Sequence, residues 1–430
     1  MVSSVTMTVT DVHRTIDVVW RIESARLIAA LTRRVRDLGV AEELAQEALV
    51  SALESWPRTG IPDNPGAWLM ATAKNRAIDQ LRRARMLEGK HALLGHELEM
   101  EQQFGSDTVE ALADQHIGDD LLRLMFIACH PLLSTEARTA LTLRLIGGLT
   151  TAEIARAFLA AEPTIAQRIV RAKRALTDAQ VPFELPAREQ LTQRLASVLE
   201  VIYLIFNEGY SATAGEDWTR PALCEEALRI GRILAELAPQ ASEVHGLVAL
   251  MEIQASRLRA RTGSRGEPVL LLEQNRAQWD RVLIHRGLLA LARGEALTAV
   301  RGPYLLQAAI AACHARAGDA ADTDWVNIAS LYDELARLTA SPVVELNRAV
   351  AVAMAYGPAA GLALTDALLE DGQLAGYHLL PSVRADLLAK LGRYAEAQSQ
   401  FERAAQLTHN VRERVLLQER AAACAQRLPS

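Results

Sequence analysis

The chain has 430 residues, half of them hydrophobic but only 4% aromatic, with a formal net charge of −6. That length exceeds one ordinary core, so two or three packed units are expected, and so few aromatic residues argue against a sheet-rich fold. The acidic balance excludes a protein that coats nucleic acid through a broad positive surface, because such affinity comes from counterion release. Any DNA contact must be local, or made with help.

Cys129, Cys224, Cys313 and Cys424 show no CxxC or Cys/His metal spacing and are expected to be reduced core thiols. No N-terminal stretch combines a basic start, an apolar run and a small-residue cleavage site, and no run approaches the ~18 apolar residues of a membrane span. A cytoplasmic protein without a membrane segment is expected. No nucleophile with its base, metal cluster or phosphate-cradling glycine loop stands at a suitable spacing, so neither an enzyme nor a cofactor nor a bound metal is expected.

Residues 1–20 have no clear period and read as a loose end. From Arg21, apolar residues recur at helical spacing (Ile22, Leu27, Ile28, Leu31, Val35) until Gly39. A second helix is predicted from Ala41 to Trp56. Its apolar face carries Leu44, Ala48 and Leu53, and its polar face carries Glu42, Glu43, Gln46 and Glu47. The segment Trp56 to Gly66 holds three prolines and two glycines and reads as an irregular loop. A third helix, about Ala67 to Met86, is predicted to bury Trp68, Leu69, Ile78 and Leu81. It presents Lys74, Asn75, Arg76, Arg82, Arg83 and Arg85 with only Asp79 in opposition, which is either a solvated surface or a footprint for phosphates.

Between Glu88 and Asp120, nine acidic residues stand against one lysine, a linker composition. Helical periodicity returns from Leu121 to Leu176, broken at Pro131, Gly147-Gly148 and Ala160 to Pro163. Thr150 or Thr151 is placed to cap one helix, and Pro163 suits the first turn of the next. That next helix sets Ile165, Ile169, Ala172 and Leu176 on one side. Gln167, Arg168, Arg171, Lys173 and Arg174 lie largely on the other, the pattern of a helix-turn-helix.

The two prolines of Val181 to Pro186 mark the next boundary. The remainder is almost wholly helical in pattern, interrupted at Gly209 to Arg220, Gly263 to Pro268 and Arg301 to Pro303. Three helices are predicted to end alike at Gly318, Gly357 and Gly392, which are 39 and 35 residues apart, a period of stacked helical hairpins. In Leu391 to Leu407, Ala397, Phe401 and Ala404 sit where the second helix of a tetratricopeptide repeat packs. His245, His285 and His314, on otherwise apolar helices, read as hydrogen-bonded structural residues or as the lining of a ligand pocket.

Residues 41–49 and 64–85 together resemble conserved region 2 of sigma factors of the extracytoplasmic-function type, although Ala48-Leu49 stands where family members often have Thr-Phe. The resemblance implies that Glu42, Glu43, Gln46 and Glu47 bind the clamp helices of core RNA polymerase. It further implies that Arg58, Asn64, Trp68, Lys74, Asn75, Arg76, Arg82, Arg83 and Arg85, with the loop before the third helix, capture the melted −10 element of promoter DNA. Residues 148–176 resemble region 4 of the same class. This implies that Thr164, Gln167, Arg168, Arg171, Lys173 and Arg174 face the −35 element, and that the acidic linker lies in the polymerase RNA channel.

Beyond these regions, Val201 to Tyr210, Asp217 to Leu228 and Gly302 to Ala315 resemble a subgroup carrying a fused helical-repeat domain. The expected protein is all-α: a region 2 domain over 1–87, an acidic linker over 88–120, a region 4 helix-turn-helix over 121–180 and a tetratricopeptide-like extension over 187–430. Its expected function is promoter selection as an alternative sigma factor. The extension is expected to modulate that activity and to receive a protein or small ligand. The competing reading is a one-component helix-turn-helix regulator with a helical sensor or adaptor; binding to core polymerase separates the two.

Overall fold

The computed structural model describes residues 9–88, 110–158, 160–212, 218–263 and 266–428, with the side chains at 9–11, 80–88, 110–118 and 188 outside the description. Among the described residues there is no strand, only an isolated bridge between Thr262 and Pro268, so the protein is all-α. Two compact units divide the chain at Val201 and Ile202.

The first unit contains α1 (Val9–Val35), α2 (Leu38–Thr59), α3 (Pro65–Glu88), α4 (Glu110–Ala128), α5 (Thr135–Leu145), α6 (Thr151–Ala157), α7 (Glu162–Asp178) and the first turns of α8 (Arg188–Tyr210). Asp37 caps α2 by accepting from the Val40 amide at 2.9 Å. Asn64 accepts from the Ala67 amide at 3.0 Å ahead of Pro65, whose fixed φ suits a helix start. The helices α1 to α3 pack through Leu27, Leu31, Leu44, Trp56 and Leu69, with Ala41, Ala45, Ala48, Ala52, Ala73 and Ala77 filling the narrow spaces between.

Several sequence expectations change here. Pro57 lies inside α2, which runs on to Thr59, so the irregular segment shrinks to about Gly60–Asn64. Proline in a last turn costs only its own amide bond, and the Gly60 amide still reaches the Trp56 carbonyl at 3.0 Å. Leu53 is exposed, and Trp68 and Ile78 are half-buried; the buried stripe of α3 is Leu69, Ala73 and Ala77. The end of the acidic segment belongs to α4, where Asp120 is buried and paired with Arg123 at 2.6 Å and Arg33 at 3.3 Å. Residues 89–109 of that segment lie outside the described residues.

The first unit also runs past the prolines of Val181 to Pro186. Ser197 donates to the Cys129 carbonyl at 2.8 Å and Arg194 to the Phe126 carbonyl at 2.7 Å, so the start of α8 satisfies carbonyls at the end of α4. Arg138 of α5 joins Ser197 and, at 3.1 Å, Glu200.

The second unit continues with α9 (Pro221–Leu237), α10 (Ser242–Ala255), α11 (Arg281–Ala296), α12 (Pro303–Arg316), α13 (Trp325–Thr339), α14 (Pro342–Tyr356), α15 (Pro358–Asp371), α16 (Leu379–Lys390), α17 (Tyr394–Leu407) and α18 (Val411–Ala425). Three short 3-10 turns lie between α10 and α11. Successive helices pack on their chain neighbours, and α10 is nearly buried all round between α11 and α12. A Cβ at Gly287 would lie 2.6 Å from Ile253, which explains why α11 carries glycine at that approach. In α17, Ala397, Phe401 and Ala404 are all buried, as their spacing predicts. Gly357 and Gly392 adopt φ of +102° and +76° after their helices. Gly318 does not share that role, because α12 already ends at Arg316 with Ala317 extended, so the three expected helix ends are two.

Candidate nucleic-acid interface

Thr150 accepts from the Glu153 amide at 3.2 Å while the Glu153 carboxylate accepts from the Thr150 amide at 2.8 Å, a reciprocal cap that fixes the start of α6. After the turn, α7 begins with Pro163 in its first turn and buries Ile165, Ile169, Ala172 and Leu176. At about 100° per residue, Thr164, Gln167, Arg168 and Arg171 share one face. Thr164, Gln167 and Arg171 are exposed and Arg168 is half-buried. Arg174 is exposed and lies 3.5 Å from Asp178. This is a two-helix unit with an amide and guanidinium groups on the outer side of its second helix, chemistry matched to base edges and phosphates.

Lys173 does not belong to that face. It falls about 180° from Thr164 around the helix, and its Nζ lies 2.5 Å from Glu42. Arg144 of α5 holds the other oxygen of the same carboxylate at 2.6 Å. Glu42 is therefore buried and is not part of an exposed acidic face. Glu43 and Glu47 are exposed, while Gln46 is half-buried and donates to Glu42 at 2.8 Å.

On α3, Arg76 reaches back to α2, pairing with Glu47 at 2.8 Å and donating to Ser51 at 2.6 Å. Lys74 is half-buried and Asn75 exposed. Asn64 spends its side-chain oxygen on the helix cap, and Arg58, on the last turn of α2 and not in a loop, donates to the Glu54 carbonyl at 3.1 Å. Trp68 meets Trp56 edge to face, with ring centroids 5.3 Å apart. The side chains of Arg82, Arg83 and Arg85 lie outside the described residues.

The chain matches the family Sigma-70 region 2 over residues 21–86 and Sigma-70, region 4 over residues 123–176; residues 194–295 match a family of unknown function, DUF6596. An uncharacterized protein of Rhizobium meliloti (strain 1021) is 44% identical over 388 residues, 90% of each chain. The ECF RNA polymerase sigma factor SigK of Mycobacterium sp. (strain KMS) is 28% identical over 153 residues, 34% of this chain and 72% of that protein. The probable ECF RNA polymerase sigma factor SigI of Mycobacterium tuberculosis is 27% identical over 187 residues, 42% of this chain and 61% of that one. The chain belongs to the ECF-type sigma factors, with a C-terminal helical extension. No solved structure matches it.

Sigma factors are non-enzymatic initiation factors that bind core RNA polymerase and promoter DNA. In this sigma factor regions 2 and 4 touch. Besides the Glu42 cluster, Arg21 of α1 pairs with Glu153 of α6 at 2.9 Å. Burial would raise the Glu153 pKa, but hydrogen bonds from Thr150 and the nearby Arg21 outweigh it and hold the carboxyl below its usual range. Gly148, at φ +68°, presses against α1, where an added Cβ would meet Ser24 Oγ at 2.9 Å. Arg21, Arg144 and Glu153 were not among the sequence candidates, since nothing local marks a partner more than a hundred residues away.

All four cysteines of the sigma factor are free and buried. Burial pushes the Cys129 thiol up to about 11 and that of Cys224 to about 12, which leaves both as poor nucleophiles. Among the described residues no group of acidic, His or Cys side chains is placed to hold a metal, and no helix is long and apolar enough to cross a membrane.

Proposed function

We propose that this sigma factor acts in the cytoplasm, reading the −35 element with Thr164, Gln167, Arg168, Arg171 and Arg174, and that the α2–α3 surface around Arg58, Asn64, Trp68, Lys74 and Asn75 handles the −10 element. Glu43, Gln46 and Glu47 contact the polymerase clamp. The arrangement described above is a resting state: Glu42 is occupied by Arg144 and Lys173, so its use by polymerase requires region 4 to move away from α2. The observation that carries this reading is the outward face of α7, polar and cationic beside a buried apolar stripe.

The extension modulates promoter use. Its paired helices, with the Ala397, Phe401 and Ala404 packing of a tetratricopeptide-like unit, form the kind of scaffold that holds a partner. The test is reconstituted transcription: the purified chain is mixed with core polymerase, and transcripts are mapped across genomic DNA. A shared −35/−10 pair upstream of the starts is expected. Replacing Glu43 and Glu47 together with alanine should abolish co-purification with core enzyme without unfolding the chain, because both are exposed. Unchanged co-purification would remove this face from the polymerase interface.

A further inference from the structure

The second unit holds a cavity of about 270 Å³ between α10, α12 and α13, close to the lower end of the ~300–1,000 Å³ of small-molecule sites. Its lining combines apolar Ile253, Ile310 and Ala311 with Arg257, His314 and Tyr332, and no acidic side chain lines the space.

Arg257 is only 8% exposed, yet no carboxylate of the described residues lies within ion-pair range. It donates to Tyr210 Oη at 2.5 Å and to Gln254, and it faces the Tyr210 and Trp279 rings. Its electrostatic neighbours include two more arginines. Arg261 stacks 3.8 Å from the Tyr210 centroid, and Arg276 binds the His314 and Ala317 carbonyls at 2.6 and 2.8 Å. Neither forms an ion pair among the described residues, although Asp319 and Asp322 act on Arg276 from a distance. Three guanidinium groups are thus held by dipoles and aromatic faces. That arrangement satisfies their N–H groups in part and leaves each without an ion-pair partner among the described residues.

Buried charge is ordinarily paired, and Arg257 lines the cavity with no ion-pair partner among the described residues. His314 points the same way. Its Nδ1 is buried with no hydrogen-bond partner, and its ring meets Trp325 edge to face at 5.1 Å. Burial, with Arg257 and Arg276 beside it, pushes the His314 pKa down to about 4, so near neutral pH it contributes a neutral imidazole and not a fourth cation.

We propose that this cavity binds a small organic oxyanion, a carboxylate or a phosphate ester, whose charged group pairs with Arg257 and whose body lies against Ile253, Ile310 and Ala311. A guanidinium already fixed by Tyr210 and Gln254 meets an oxyanion with little loss of freedom. A neutral His314 supplies one further hydrogen bond. The proposal deepens the reading that the extension receives a signal, but binding is measured on the protein itself, so its failure would leave the sigma assignment untouched.

Thermal melting of the full-length protein tests it, with benzoate, phenyl phosphate, inorganic phosphate and uncharged benzamide as probes at matched ionic strength. At least one of the two aromatic anions should raise the melting temperature saturably by about 3 °C or more, and benzamide should not. The carboxylate and phosphate arms then identify which oxyanion the site prefers. Arg257→Gln should abolish the shift, and Ala311→Leu should abolish it by filling the cavity while the charge stays in place. If Arg257→Gln does not fold, Ala311→Leu carries the test. Equal shifts with benzamide, shifts that persist in Ala311→Leu, or no shift with either aromatic anion would overturn the proposal.

Discussion

Lys173 Nζ, on the recognition helix, lies 2.5 Å from the carboxylate of Glu42 on α2, 131 residues earlier in the chain. The lysine is one-fifth exposed and the glutamate nearly buried, so this ion pair is partly desolvated, and Arg144 shares the same carboxylate. Removing Lys173 deletes one of two cations and leaves Arg144 to hold the charge. We expect Lys173→Met to weaken the contact between regions 2 and 4 by about 1–3 kcal/mol, without unfolding either. The measurement is fluorescence energy transfer between labels on α2 and α7. Lower transfer and an earlier onset of core polymerase binding are expected; unchanged transfer would mean that the pair does not hold the regions together.

The same geometry separates the cations of α7 into two roles. Arg168→Ala and Arg171→Ala should each reduce promoter-specific transcription by about 1–3 kcal/mol where a base edge is read. A phosphate contact would instead weaken every promoter alike and flatten the salt dependence. Lys173→Ala should leave promoter discrimination as it is, because its side chain points toward α2. Run-off transcription on matched and mismatched −35 sequences distinguishes these outcomes, and altered discrimination in the Lys173 variant would return it to the DNA face.

Helix positions were legible because apolar residues recur at helical spacing and because caps are local: Thr150 with Glu153, and Pro163 in the first turn of α7, are both visible within a few residues. The pattern did not foretell Pro57 inside α2, since a proline signals the loss of one amide bond and does not say whether the last turn survives it. The outward face of α7 was also readable, up to Lys173, where a basic residue near the edge of the stripe turned to an acidic partner that only the tertiary structure supplies. Arg257, Arg261 and Arg276 escaped for a different reason. Arginines in an Ala-rich helical sequence read as solvated charges, and what distinguishes these is packing against the rings of Tyr210, Trp218 and Trp279, which come from chain segments far apart.

The start of α8 supports region 4, and its removal should be felt there. Arg194 donates to the Phe126 carbonyl and Ser197 to the Cys129 carbonyl, both at the end of α4. Ser197→Ala leaves a buried carbonyl without its donor, a cost of about 1–3 kcal/mol. Arg194→Ala should add to it less than additively, since both act on one helix end. Urea denaturation followed by a region 4 fluorescent label would show the midpoint falling with an unchanged slope. For the same reason, a chain ending at Pro186 should be less stable in region 4 than one that keeps α8, and equal midpoints would show that α8 is not a brace.

The depressed pKa of His314 makes a pH prediction for the second unit. Burial is the largest cause, followed by the charges of Arg257 and Arg276, and the folded value is about 4 against an ordinary 6.5. The group binds its proton less readily folded than unfolded, so the unfolded state takes up more protons between these values, and stability falls as pH falls. The contribution is fully present above about pH 6.5, is lost progressively toward about pH 4, and changes no further below it. With each pKa unit worth about 1.4 kcal/mol, the whole effect amounts to about 3 kcal/mol at most. His314→Gln, which cannot take up the proton, should flatten this part of the stability curve while leaving the acid response of the first unit alone. Denaturation midpoints of the two proteins from pH 7.5 down to pH 4, read with a label in the extension, provide the check. Parallel curves would show that burial beside Arg257 and Arg276 does not hold the imidazole neutral.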